Sequence, residues 1–370
     1  MTTPRHDFVI VGAGIAGVSL AARLAAQGSV LLLERESQPG THSTGRSAAM
    51  FMESYGPPQV RALTRASRAT YAAPALLPIL SPRGVLYAAW QGQEALLEAH
   101  ATPALQHLDA AAALARVPVL RAEGLIGALA EADAMDIDVD VLLQGWLGHA
   151  RQQGAVVWTK AEVVAAQRPG LGADWTLQLA DGRTASAGVL VDAAGAWADE
   201  LARAAGVAPL GLQPKRRSAF TFDAPAGSEH RGWPTVCGVD DSWYFKPDAG
   251  QLLGSPGNAD PVPPHDVLPE ALDIAMGISM IEERTLLSIR RPRHTWAGLR
   301  TFSPDGEMVI GFDPTAPGFF WLAGQGGYGI QSAAGAAMLA ESLIVGAALP
   351  EPLAHEGVEP ALLAPARLRG

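Results

Sequence analysis

Apolar residues along this chain follow two rhythms. Short uncharged runs that stop at glycine or an acid read as buried strands: 8–11 before Gly12, 30–33 before Glu34, and 188–191 before Asp192. Longer stretches carry helical spacing: 18–26, 58–71, and 139–152, the last with Asp138 placed to cap it. The alanine-rich segment 101–117 reads as one solvent-facing helix. Residues 132–140 alternate acid and apolar positions, which favours a strand or turn with one wet face over a metal site. A hairpin follows, with Trp175–Leu179, an Asp181-Gly182 turn and the 188–191 run. From Pro214 to Trp296 the chain is strand-like and aromatic. It then returns to an apolar strand at 319–323, a glycine-rich turn and a helix to about Ala340. Strand–helix alternation at both ends around a strand-rich middle predicts an α/β chain of two interleaved domains. One is a discontinuous Rossmann-like unit (1–80, 139–212 and 297–370). The other is a mainly antiparallel-sheet substrate domain (81–138 and 213–296).

The turn after the first strand carries chemistry. Gly12, Gly14 and Gly17 form G-x-G-x-x-G with Ile15 and Ala16 inside it, and the second strand delivers Glu34, twenty positions after Gly14 (34 − 14). The first glycine permits the tight turn and the second lets backbone approach a pyrophosphate. The third lets helix and strand pack closely, with the helix N-terminus facing phosphate charge. A carboxylate at 34 accepts hydrogen bonds from a ribose and disfavours the extra phosphate of NADP. This unit alone leaves FAD and NAD both open.

Composition narrows the class. With 370 residues the chain exceeds one ordinary core, and a net charge of −10 argues against nucleic acid or an anionic membrane surface as partner. The 8–22 run has the length of a signal-peptide core, but Asp7 offsets Arg5 in front of it. No later run suits an integral membrane segment. The single cysteine, Cys237, allows no disulfide framework or CxxC metal site, and a cytoplasmic location is expected.

Three further segments bear on a ligand. Arg35 follows the ribose acid, and the hydroxyl-rich stretch Ser43, Thr44, Arg46, Ser47, Ala48, Ala49 supplies hydroxyls and free backbone N–H groups for a second cradle. Arg46 either neutralises phosphate or caps the next helix. Val163 and the small-residue turn Ala194-Gly195 before Trp197 let backbone lie against a nucleotide again. At the other end Gly326, Gly327, Tyr328, Gly329, Ile330 and Gln331 open a helix towards a ligand, whose dipole would favour the negative edge of a reduced flavin. Nucleotide-binding features at both ends favour FAD. In Lys215-Arg216-Arg217, strand alternation turns Arg217 away from Arg216.

The segments His42–Ala49, Gln213–Phe220, Thr295–Arg300 and Gln325–Gln331 resemble FAD-dependent amine oxidoreductases of the D-amino-acid oxidase and glycine oxidase superfamily, and within it the bacterial D-arginine dehydrogenases. The resemblance spans the chain from Asp7 onwards. It implies a small amino-acid substrate whose α-carboxylate is clamped by Arg217 and Arg300, since bidentate pairing requires guanidinium rather than ammonium. It places Tyr55 and Tyr244 as phenols lining the site and Gln331 beside the flavin. The implied reaction is oxidative deamination of D-amino acids: hydride passes from Cα to flavin N5, and the imino acid hydrolyses to a 2-oxo acid and ammonia. A phenol is a poor base at neutral pH, so deprotonation by water or on binding is equally open.

Two departures shape the expected specificity. Members that prefer cationic substrates carry an acid in the strand after Ser81-Pro82-Arg83, where this chain has Gly84-Val85-Leu86, and histidine where Met50 stands. The expectation is therefore a preference for apolar or neutral side chains, with Glu53 as the one candidate for a displaced acid. Covalent members attach flavin through a cysteine in the C-terminal glycine-rich region. That region has none, so FAD is expected to be non-covalent. Electrons would pass onward to oxygen or a quinone-like acceptor. The competing readings are a 2-hydroxy-acid or sarcosine/glycine oxidoreductase on the same fold, and a flavin-binding subunit without turnover.

Overall fold

The computed structural model describes residues 3–73, 78–170 and 172–369. Its first sheet is built around Arg5–Val11, which pairs in parallel with Val30–Leu33 on one side and Thr184–Asp192 on the other. Val156–Trp158 and Phe319–Ala323 extend the sheet in parallel at either flank. Val9, Ile10, Leu31, Leu32 and Trp321 are fully buried because both faces are covered, which is why these strands are uncharged runs rather than alternating ones. Helices Ile15–Leu24, Val139–Gln152 and Gly329–Val345 pack on one face, and the 163–187 hairpin region with helix Ala198–Ala204 covers the other.

The second sheet runs Asp260–Pro261, Gln213–Phe222, Gln251–Ser255, Tyr244–Asp248, Thr235–Gly238, Val85–Trp90, Leu125–Glu131, Gln106–Leu108, with His294–Phe302 also on Gln213–Phe222. It is antiparallel except where Thr235–Gly238 meets Val85–Trp90. The strand His294–Phe302 crosses the boundary expected at 297: its full-length pairing with Gln213–Phe222 holds it in the second sheet.

Local readings fare unevenly. Helix Pro58–Tyr71 and the Asp138 cap, accepting from Val141 N at 3.0 Å, fall where the sequence pattern puts them. The first helix begins earlier than 18, at Ile15, because extended Gly14 ends the turn, and it stops at Leu24. The last helix runs beyond Ala340 to Val345, ended by left-handed Gly346. Segment 101–117 is not one helix. Gln106–Leu108 is a strand on Leu125–Glu131, and only Ala110–Arg116 is helical, capped by Asp109. An open sheet edge outcompetes alanine's helical preference there. The 132–140 alternation gives the strand Met135–Ile137, but Asp136 is not on a wet face. It bonds Arg83 Nε at 2.7 Å and Lys246 Nζ at 2.6 Å. No helix among the described residues is long and apolar enough to cross a membrane.

Candidate functional site

One cavity of about 760 Å³ lies between the two sheets, and both Glu34 and Arg300 line it. At one end is the glycine turn. Gly12 has φ +106°, and a Cβ there would stand 2.3 Å from the Ala193 carbonyl oxygen, so two strand ends approach too closely for any side chain. Gly14, Ile15 and Ala16 face the cavity. Gly17 does not line it: it lies under the turn, where a Cβ would meet Gly12 O at 1.9 Å, the packing role expected of the third glycine. Glu34 is buried and anchored, accepting from Ala13 N at 3.0 Å and Glu36 N at 2.9 Å. Thr44 Oγ1 accepts from Ile15 N at 3.0 Å, and Ser43 Oγ donates to Leu299 O at 2.5 Å.

Arg35, Val163, Ala194, Gly195 and Trp197 line the same end, with the Arg35 guanidinium 4.8 Å from the Trp197 ring centroid. Ser47, Ala48 and Ala49 form the floor further along. Ala49 is held at φ +54°, its N–H bonded to Ser47 Oγ at 3.0 Å. Lys246 Nζ donates to the preceding carbonyl, Ala48 O, at 2.9 Å. Arg46 lines the cavity, and its guanidinium is engaged within the protein. It donates to Val267 O, Ala297 O and Asp266, tying the cradle loop to the second sheet. The bonded acid at a strand end, the glycine turn and the small-residue walls fit a dinucleotide, and the backbone of Gly326–Gln331 meets the cavity at the opposite end of the chain.

The substrate end is built by register. Arg217 pairs with Gly298, two residues from Arg300 on the same strand, so both arginines project from one face of the second sheet as diagonal neighbours. Arg216 points the other way and is bound by Asp273, Glu270 and Asp260. Neither Arg217 nor Arg300 has a carboxylate partner among the described residues. Arg217 Nε donates to Asn258 O at 2.5 Å, and Arg300 Nη1 donates to Tyr55 Oη at 3.3 Å while its Nε is buried without a partner. Burial, and then the neighbouring Arg300 charge, draw the Arg217 pKa down to about 10. Two desolvated guanidiniums without anions make a site that wants a carboxylate.

Around them, Cys237 pairs with Tyr87 on one neighbouring strand and Tyr244 on the other, a row that faces the cavity. Gly327 lies so close that a Cβ would meet Arg300 Nη1 at 2.6 Å and Tyr55 Oη at 3.1 Å. Tyr328 stacks edge-on against Tyr55 at 5.0 Å, and burial pushes its phenol up to about 12. Gln331 touches the cavity but spends its amide on Tyr55 O at 3.1 Å and Thr64 Oγ1 at 3.0 Å, so it shapes the Tyr55 backbone rather than reaching inward.

Glu53 is not the displaced acid. Arg68 holds it at 2.5 Å, and it does not line the cavity, whereas Met50 does. The sequence reading singled out neither Asp241 nor Cys237 as a site residue. Both line the cavity, brought there by the hairpin of Thr235–Gly238 and Tyr244–Asp248. The Cys237 thiol is half-buried and desolvation raises its pKa, so it is not a ready nucleophile.

Comparison with known proteins agrees with this geometry. Residues 7–343 match the family described as FAD dependent oxidoreductase. The fold is similar to glycine oxidase from Geobacillus kaustophilus, with 23% identity, a TM-score of 0.81, and 96% of this chain and 99% of that one covered. It is similar to L-proline dehydrogenase from P. horikoshii, with 20% identity, TM-score 0.82, and coverage of 100% and 99%. It is also similar to an L-alpha-glycerophosphate oxidase from Mycoplasma pneumoniae determined with FAD bound, with 18% identity, TM-score 0.83, and coverage of 93% and 95%. FAD is the cofactor of this protein, and the chain belongs to the FAD dependent oxidoreductase family.

Proposed function

We propose that this protein oxidatively deaminates D-amino acids, preferring apolar or neutral side chains. The observation that carries the reading is the pair of half-buried guanidiniums of Arg217 and Arg300, without a carboxylate partner among the described residues, on one sheet face. They bind the α-carboxylate and fix Cα. FAD, when bound, supplies the hydride acceptor. Tyr55 orients Arg300 through its hydroxyl, and Tyr244 closes the opposite wall. The Tyr328 phenol stays protonated at neutral pH, so it serves as a donor and leaves amine deprotonation to water or to the binding step.

The D configuration is supported by the resemblance of the four segments His42–Ala49, Gln213–Phe220, Thr295–Arg300 and Gln325–Gln331. The neutral preference is supported by Met50, Met52 and Tyr87 in the wall and by the capture of Glu53 by Arg68. Anaerobic mixing of the yellow protein with D- and L-amino acids tests both. Bleaching by D-methionine, D-leucine or D-phenylalanine, with L-forms inert and D-arginine slower, is expected. Bleaching only by D-lactate or 2-hydroxyglutarate would select the hydroxy-acid reading instead, and no bleaching with any carboxylate would leave a flavin-binding subunit. FAD is held non-covalently in this reading; a flavin that stays with acid-precipitated protein would overturn that.

A further inference from the structure

We propose that Asp241 is the residue that recognises the substrate's α-ammonium, completing with Arg217 and Arg300 a site for an amino-carboxylate zwitterion. This rests on the reading that the substrate is an amino acid. Asp241 lines the cavity at the tip of the hairpin whose strands also carry Cys237 and Tyr244. Among the described residues its carboxylate makes no hydrogen bond and no ion pair, although two free guanidiniums share its cavity.

The other acids of the cavity are committed or distant. Asp240 bonds its own turn at Ser242 N and Oγ, and Glu34, Glu162 and Glu200 belong to the cofactor end, Glu162 paired with Arg35 and Glu200 three residues beyond Trp197. Asp241 is set firmly. Its backbone is left-handed at φ +57°, its N–H donates to Gly238 O at 2.9 Å, and a Cβ on Gly257 would stand 2.2 Å from its carbonyl oxygen. Aspartate tolerates that conformation better than most residues.

The residue is exposed, yet neighbouring protein desolvates the carboxyl and raises its pKa, opposed by His100, Arg217 and Arg300. Its charge is also felt by Arg217 and by the Tyr328 phenol. A carboxylate left unpaired in the same cavity as two guanidiniums matches the two ends of an α-amino acid. It would repel a plain carboxylic acid.

The test uses 2-aminoisobutyrate, which has no Cα hydrogen and cannot be oxidised, against 2-methylpropanoate, the same acid without its amine. Both are titrated into the FAD-loaded protein and followed by the flavin absorbance. In the wild type the amino acid binds tighter. In Asp241→Asn its affinity falls by roughly tenfold or more while that of 2-methylpropanoate holds or rises, and Asp241→Glu recovers part of the discrimination. An affinity ratio unchanged by Asp241→Asn, or absent in the wild type, overturns the proposal. Failure of the D-amino-acid reading shows separately. It appears as no bleaching by D-leucine even though the ratio depends on Asp241.

Discussion

Arg217 and Arg300 stand on neighbouring antiparallel strands, offset by one pleat repeat, so that two guanidiniums of like charge share one sheet face without an acid between them. Such a pair is costly to bury, and binding a carboxylate relieves that cost. Arg300→Lys keeps the charge but loses the planar fork, so kcat/KM should fall by roughly 10- to 150-fold with the flavin still bound. Steady-state kinetics alongside flavin content check this, and an unchanged kcat/KM would remove Arg300 from the clamp.

Tyr55→Phe removes the hydroxyl that accepts from Arg300 Nη1 at 3.3 Å. The expected loss is milder, roughly 2- to 12-fold in kcat/KM, because a single hydrogen bond contributes about 0.5–1.5 kcal/mol. Binding of 2-methylpropanoate should weaken by a similar factor.

Gly327→Ala tests the close approach at the helix entrance. The new methyl would stand 2.6 Å from Arg300 Nη1 and must displace it. Kinetic loss on the order of 10²-fold is expected, with the melting temperature and the FAD spectrum little changed. A full-activity variant would mean that the guanidinium can sit elsewhere.

Glu34→Ala removes the acceptor of two backbone N–H groups, Ala13 and Glu36. FAD affinity should fall by roughly tenfold or more, measured by fluorescence on returning FAD to the stripped protein, while the retained FAD-loaded fraction keeps its substrate KM.

Asp192 gives a pH prediction. It is fully buried, one carboxyl oxygen has no partner, and burial raises its pKa well above the ordinary aspartate value. Between the unfolded and the folded pKa the native state holds a proton that the unfolded chain has released. Its contribution to stability is therefore present at low pH and lost as pH rises through that window. Asp192→Asn should flatten this fall, so its melting temperature gains on the wild type as pH increases. Parallel curves would contradict the assignment.

The legible parts of this molecule were those where local chemistry and burial agree. The strand, glycine turn and strand-end acid between Phe8 and Glu34 were legible because a strand buried on both faces, a forced glycine turn and an acid closing the second strand each leave their own signature. Arg217 could be separated from Arg216 because alternation is fixed once the segment is a strand. Helix 101–117 failed where propensity met an unfilled sheet edge. The partners of Glu53 and Arg46, namely Arg68 and the Val267 and Ala297 carbonyls, were not legible because tertiary packing sets them. Asp241 left no pattern at all. It arrives through a hairpin turn, and its meaning lies in what it does not touch.

The strand Gln213–Phe222 carries Arg217 on one face and Arg216 on the other, each with its own environment. Slipping that strand by one position would exchange the two, burying the clamp arginine against Asp273 and leaving the cavity without it. The glycine turn and Glu34 belong to the other sheet and would be untouched. Neither the glycine turn nor Glu34 reports on that register, so active-site titration, beside flavin content, measures how much of a refolded sample has it right.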